Sequence, residues 1–124
     1  ILMDKENQTK KNIIQVDFER EMGWYKNYTH FFDLVILSEV LHCKTPIFQE
    51  YLIKSSVNML KQGGQIVIVE NTDYCMAYRI SKIKNGAYQV LNVNHISRLT
   101  SNYPLRLVKV ETIQRHNIYL YEKI

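Results

Sequence analysis

The chain has 124 residues, 46% of them hydrophobic, which is enough for one globular core and for no more than one domain. Sixteen Lys and Arg stand against twelve Asp and Glu, a net charge of +4 spread with no basic run beyond Lys10-Lys11. That pattern makes a solvated lysine surface the expectation and an RNA or acidic partner the alternative. No stretch is long and apolar enough to cross a bilayer, since Phe31 to Cys43 is short and holds Asp33 and Glu39, so no membrane partner is expected.

Ile1 to Asn12 is mostly polar and shows no signal-peptide pattern. The chain opens on Ile rather than Met, as a fragment truncated on its N-terminal side would. Ile1 to Asp4 reads as the end of a strand, and Asn12 to Val16 as a further strand with Asp17 and Phe18 at its tip. Gly23 to Tyr28 is an aromatic, turn-rich connection, expected to pack as a loop over the sheet edge rather than to stack on bases.

Phe31 to Glu70 then reads as one complete βαβ unit. Asp33 to Leu37 is apolar without alternation, the pattern of a strand covered on both faces. Ser38 and Glu39 put polar groups at its carboxyl end, where ligands of open α/β sheets sit. Thr45-Pro46 starts a helix with a hydroxyl cap and a proline at the first helical position. Phe48, Leu52, Met59 and Leu60 fall on its inner side, and Gln49, Glu50, Lys54, Asn58 and Lys61 mostly on its wet side. Gly63-Gly64 is expected to stop the helix, and Gln65 to Val69 is a second apolar strand ending at Glu70-Asn71. A right-handed crossover makes the two strands parallel.

Asn71 to Tyr74 is a loop on the ligand side, with a helix expected near Cys75 to Lys84. Asn85-Gly86 is a break. Tyr88 to Ser101 reads as a helix whose apolar residues are Val90, Leu91, Val93, Ile96 and Leu99, closed by Tyr103-Pro104. Leu105 to Ile113 and Ile118 to Glu122 form a hairpin in which Ile118 and Leu120 alternate with Tyr119 and Tyr121. Cys43 and Cys75 are too few for a disulfide scaffold, so an intracellular, cytoplasmic site is the expectation. His42-Cys43 lacks a second ligand pair at metal spacing, so no metal is expected.

FDLVILSEVLH followed by LKQGGQIVIVE is similar to the fourth and fifth strands of class I S-adenosylmethionine-dependent methyltransferases. SEVLH and RLVKVETIQRHNIYLYEK resemble, more narrowly, the nodulation protein S-like N-methyltransferases, although those tend to carry an aromatic residue where this chain has His42. The resemblance runs roughly from Asn12 to Lys123. It implies an α/β fold with a Rossmann-like methyltransferase sheet ending in an antiparallel hairpin. It also implies S-adenosylmethionine as cofactor and a small-molecule or macromolecular acceptor, nitrogen by preference.

By the same resemblance, Asp4 falls where an acid binds the ribose hydroxyls, although an acid near a frayed terminus would look the same. Asp17 falls where an acid accepts from the adenine amino group, with Phe18 against the ring, although Asp17 also suits a helix cap and Phe18 general packing. The Ser38-Glu39 backbone falls beside the transferred methyl, and Glu39 and His42 face the acceptor as orienting group or base. Against that, Glu39 suits a cap for the Val40-Leu41 turn, and His42 a satisfied, half-buried histidine.

The family's glycine-rich turn after its first strand has no counterpart among Gly23, Gly63, Gly64 and Gly86, so that strand and turn are expected to be lacking. Three explanations stand open: a carboxyl-terminal part completed by preceding sequence or a complementing chain, a non-catalytic scaffold binding a protein or RNA partner, and a homodimer that repairs the sheet edge by strand exchange.

Overall fold

The computed structural model describes residues 20–21, 23–71 and 91–124. Four strands form one sheet, β1 (Phe32–Ser38), β2 (Leu60–Asn71), β3 (Leu105–Ile113) and β4 (His116–Lys123), in the spatial order β1-β2-β4-β3. β1 and β2 are parallel, in register from Leu34 opposite Gln65 to Ser38 opposite Val69. β4 lies antiparallel between β2 and β3, so the last strand of the chain is inserted into the sheet rather than added at its rim. This confirms the βαβ unit and the terminal hairpin. The strand expected over Asn12 to Val16 and the helix near Cys75 to Lys84 lie outside the described residues.

The helix α1 (Pro46–Met59) starts where the sequence says it should: the Thr45 hydroxyl accepts from Phe48 N–H at 3.3 Å and Pro46 occupies the first turn. Its end differs from expectation. The helix stops at Met59, and Gly63-Gly64 lies within β2, not at a helix cap. There the partner of β1 jumps from Leu60, opposite Phe32, to Gln65, opposite Leu34. Gly63 takes φ +81° in this excursion, and a Cβ on Gly64 would meet the Lys61 carbonyl at 2.9 Å. The glycines serve the strand crossing, and the helix C-terminus is held instead by Lys123, whose ammonium donates to the carbonyls of Val57 at 2.8 Å and Leu60 at 2.9 Å.

α1 and the short helix α2 (Val93–Thr100) supply the side chains that pack on one face of the sheet. The core joins Leu52, Ile53 and Val57 with Ile96 and Leu99, against Val35, Leu37, Ile66, Ile68, Tyr119 and Tyr121. α2 is shorter than the sequence reading: Asn92 caps it, accepting from His95 N–H at 2.9 Å, and Leu91 is buried ahead of it. The expectation that β1 is covered on both faces does not hold among the described residues. Val35 and Leu37 are buried while Leu34 and Ile36 are 41% and 43% exposed. On β4 the buried alternation belongs to Tyr119 and Tyr121, with Ile118 and Leu120 on the other, half-buried face.

The aromatic connection forms a 3-10 helix over Trp24–Tyr28. It packs on α1: Tyr25 meets Tyr51 edge-to-face at 5.8 Å, and Gly23 N–H donates to the Tyr51 hydroxyl at 3.2 Å. His30 and Phe31 N–H groups donate to the carbonyls of Asn58 and Met59, which leads the chain directly into β1.

Candidate active site

Parallel strands end together, so the carboxyl tips of β1 and β2 form one rim of the sheet. Antiparallel β4 begins at that same rim, with His116 opposite Asn71 and Asn117 opposite Glu70. Three pieces of chain separated in sequence therefore meet: Ser38 to Cys43, Glu70-Asn71, and His116-Asn117.

The turn after β1 is anchored at both ends. Glu39 stands in the left-handed region at φ +55°, and its N–H donates to the Val69 carbonyl at 2.8 Å, one step beyond the β1–β2 ladder. A non-glycine residue holds that conformation only where its surroundings fix it. Its carboxylate reaches across the rim to His116 Nε2 at 2.7 Å. Glu39 thus turns the chain out of the strand, and it does not cap the Val40-Leu41 turn with its side chain.

The cap is supplied by Glu70, which the sequence presents only as the last residue of an apolar strand. Glu70 Oε1 accepts from Leu41 N–H at 3.0 Å, and Oε2 pairs with His42 Nδ1 at 2.8 Å. Both side chains are buried, His42 at 7% exposure and Glu70 at 1%. Burial pushes the Glu70 carboxyl above the usual range, against the opposing pull of the His42 hydrogen bond and charge. The contact with Glu70 holds the His42 ring through Nδ1.

Gln49 is the second group that sequence periodicity misplaces, since it sits on the expected wet side of α1 yet is fully buried. Its amide donates to the Leu41 carbonyl at 2.7 Å and to that of Lys44 at 3.3 Å, while Oε1 meets His95 Nε2 at 3.2 Å. Desolvation, helped by Arg98, holds His95 below the usual imidazole range, which suits a neutral ring bonded to an amide. The loop from Leu41 to Lys44 is therefore gripped from the β2 side by Glu70 and from the α1 side by Gln49.

Of the residues selected from sequence, Ser38, Glu39 and His42 lie together at this rim; Asp4, Asp17 and Phe18 lie outside the described residues. Glu70, Gln49 and His116 were missed. Each is an ordinary polar residue at an element end or on a helix, and only the inserted position of β4 brings His116 to the rim.

No family model and no curated protein matches the chain. Solved structures do. A methyltransferase from Archaeoglobus fulgidus, described as S-adenosylmethionine-dependent, superposes with a TM-score of 0.72 at 12% identity, covering 94% of this chain and 70% of that one. Human N-acetylserotonin methyltransferase in complex with S-adenosylmethionine gives a TM-score of 0.69 at 18% identity, covering 96% of this chain and 36% of that one. The PH0226 protein of Pyrococcus horikoshii gives 0.67 at 13% identity, covering 97% and 65%. This chain also spans only 30% of the CurJ carbon methyltransferase, at a TM-score of 0.57. At these identities the likeness establishes the fold: the chain has the α/β fold of class I methyltransferases.

Proposed function

We propose that this chain forms part of an S-adenosylmethionine-dependent methyltransferase acting on a small-molecule or macromolecular nucleophile, nitrogen by preference, in the manner of the nodulation protein S-like enzymes. The observation that carries the reading is the sheet order β1-β2-β4-β3, which assembles Ser38, Glu39, His42, Glu70 and His116 at one carboxyl rim. The residues present there suit the cofactor's chemistry in one respect that the fold itself supplies. The strand-tip backbone turns out of the ladder at Glu39, after Ser38 as its last paired residue, and main-chain carbonyls at such a tip are acceptors of the kind that suits an ammonium group. The Glu39 N–H, by contrast, is committed to Val69.

S-adenosylmethionine supplies, when bound, an electrophilic methyl group on a sulfonium. The chain's own contribution is positioning and proton handling. Asp17 and Phe18 are proposed to hold the adenine end and Asp4 the ribose. Glu39 orients the acceptor at the rim. His42, its ring held by Glu70, orients the acceptor or takes its proton where the acceptor carries one.

A second reading, a non-catalytic methyltransferase-like scaffold for a protein or RNA partner, is favoured by a specific feature: the rim's polar groups bond one another, Glu39 to His116 and His42 to Glu70. Calorimetric titration with S-adenosylmethionine and S-adenosylhomocysteine tests the first. Saturable binding, weakened by Asp17→Ala, supports the enzyme reading; no binding by a folded sample means that this chain alone is not the enzyme, and leaves a completing segment or the scaffold.

A further inference from the structure

β4 contributes a residue to the rim that the parallel half of the sheet cannot. His116 is the first residue of β4, opposite Asn71 at the tip of β2, and its Nε2 lies 2.7 Å from Glu39 Oε1. Glu39 has a backbone that needs holding, because φ +55° is unfavourable for a residue other than glycine. The main chain holds it through the Glu39 N–H to Val69 bond, and the side chain through His116. The His116 and Glu39 side chains are 36% and 44% exposed, so their pairing adds little to global stability. What a contact of this kind fixes is direction: without it, the Glu39 carboxylate is free to sample rotamers away from the strand tips.

We propose that His116 is a positioning residue, holding the Glu39 carboxylate over the carboxyl ends of β1 and β2 where the methyl acceptor is to be oriented. The proposal rests on the methyltransferase reading for its purpose, and on the rim geometry alone for its mechanics. Gln at position 116 can place an amide N–H about where imidazole Nε2 lies, whereas Ala has no donor to offer. His116→Gln is therefore the conservative replacement and His116→Ala the disruptive one.

The experiment is the set of three-bond χ1 couplings of Glu39 in the full chain, measured by NMR for wild type, His116→Ala and His116→Gln, with melting temperatures alongside and S-adenosylhomocysteine titrated into the same samples. The expected result is a single Glu39 χ1 rotamer in wild type, loss of that preference to rotamer averaging in His116→Ala at an unchanged melting temperature, and its return in His116→Gln. An unaveraged, wild-type rotamer in His116→Ala overturns the positioning role, even if the cofactor analogue binds. Glu39 rotamers that respond to His116 in a chain that binds no S-adenosylhomocysteine support the positioning role and count instead against this chain alone being the enzyme.

Discussion

His42 and Glu70 show how one pair of side chains can serve both stability and chemistry. The sequence leaves His42 open between an acceptor-facing base and a buried, satisfied histidine. Its contact with Glu70 makes these compatible, because burial and pairing at Nδ1 fix the ring in place beside the strand tips. The pair also sets a pH dependence. Burial raises the folded-state pKa of Glu70 above its unfolded value, so its stabilising contribution is complete below the ordinary glutamate range. That contribution is lost as pH rises through the raised folded value. Glu70→Gln keeps an acceptor for Leu41 N–H and removes the buried charge. Melting temperatures followed between about pH 4 and pH 8 are expected to fall less steeply with rising pH in Glu70→Gln than in wild type. An equal slope in the two proteins would show that the Glu70 charge does not carry the dependence. His42→Ala leaves the carboxylate buried with only backbone N–H donors among the described residues, those of Leu41 and of residue 42 itself, and is expected to cost about 3 kcal/mol in urea unfolding at neutral pH.

Among the elements, α1 was the most legible and also the most instructive error. Its start is local chemistry, a hydroxyl cap and a proline, and local chemistry is what a sequence displays. Its end is tertiary: Lys123, at the far end of the chain, satisfies the last carbonyls, and burial holds its ammonium below the usual lysine range. Lys123→Met keeps the apolar stem and removes the donor. Unfolding in urea should show a loss of about 1–3 kcal/mol, and a loss near zero would mean that water serves those carbonyls equally well. The Gly63-Gly64 pair reads as a helix stop because glycine most often punctuates there. Here it lets β2 pass close to its own first residues. Gly64→Ala drives a Cβ into the Lys61 carbonyl and is expected to cost more than Gly63→Ala, where only the positive φ is unfavourable and no atom lies within 4 Å. Similar losses at the two positions would refute that division of labour. β4 repeats the lesson in another form: its period-two alternation was visible, but which face is buried depends on where the helices lie, and the tyrosines took it.

Over the whole molecule, the sheet packs hard on one side only among the described residues. Ile66 and Val35 are buried at 0% and 1% exposure against α1 and α2, while Ile36 on the opposite face is 43% exposed. Ile66→Ala is therefore expected to cost about 2–5 kcal/mol in urea unfolding. Ile36→Thr should change stability by under about 1 kcal/mol, and equal costs would contradict a one-sided core. The unbroken apolar run of β1 gave no hint of this asymmetry, since such a run does not say how many faces are covered. The parallel pair, the crossover helix and the terminal hairpin were legible because each carries its own periodicity and punctuation. The rim was legible only at Ser38, Glu39 and His42; Glu70, Gln49 and His116 join it through pairings between distant parts of the chain, which no local pattern encodes.

The proposed site makes the carboxyl rim of β1, β2 and the start of β4 a cofactor-side surface. The most direct test is to follow backbone amide resonances of the full chain during titration with S-adenosylhomocysteine. Saturable shifts concentrated at Ser38 to His42, Glu70-Asn71 and His116-Asn117 are the predicted result. Shifts confined to Leu34, Ile36 and the β3 strand would contradict it, and an absence of shifts in a folded sample would mean that this chain alone does not form the site.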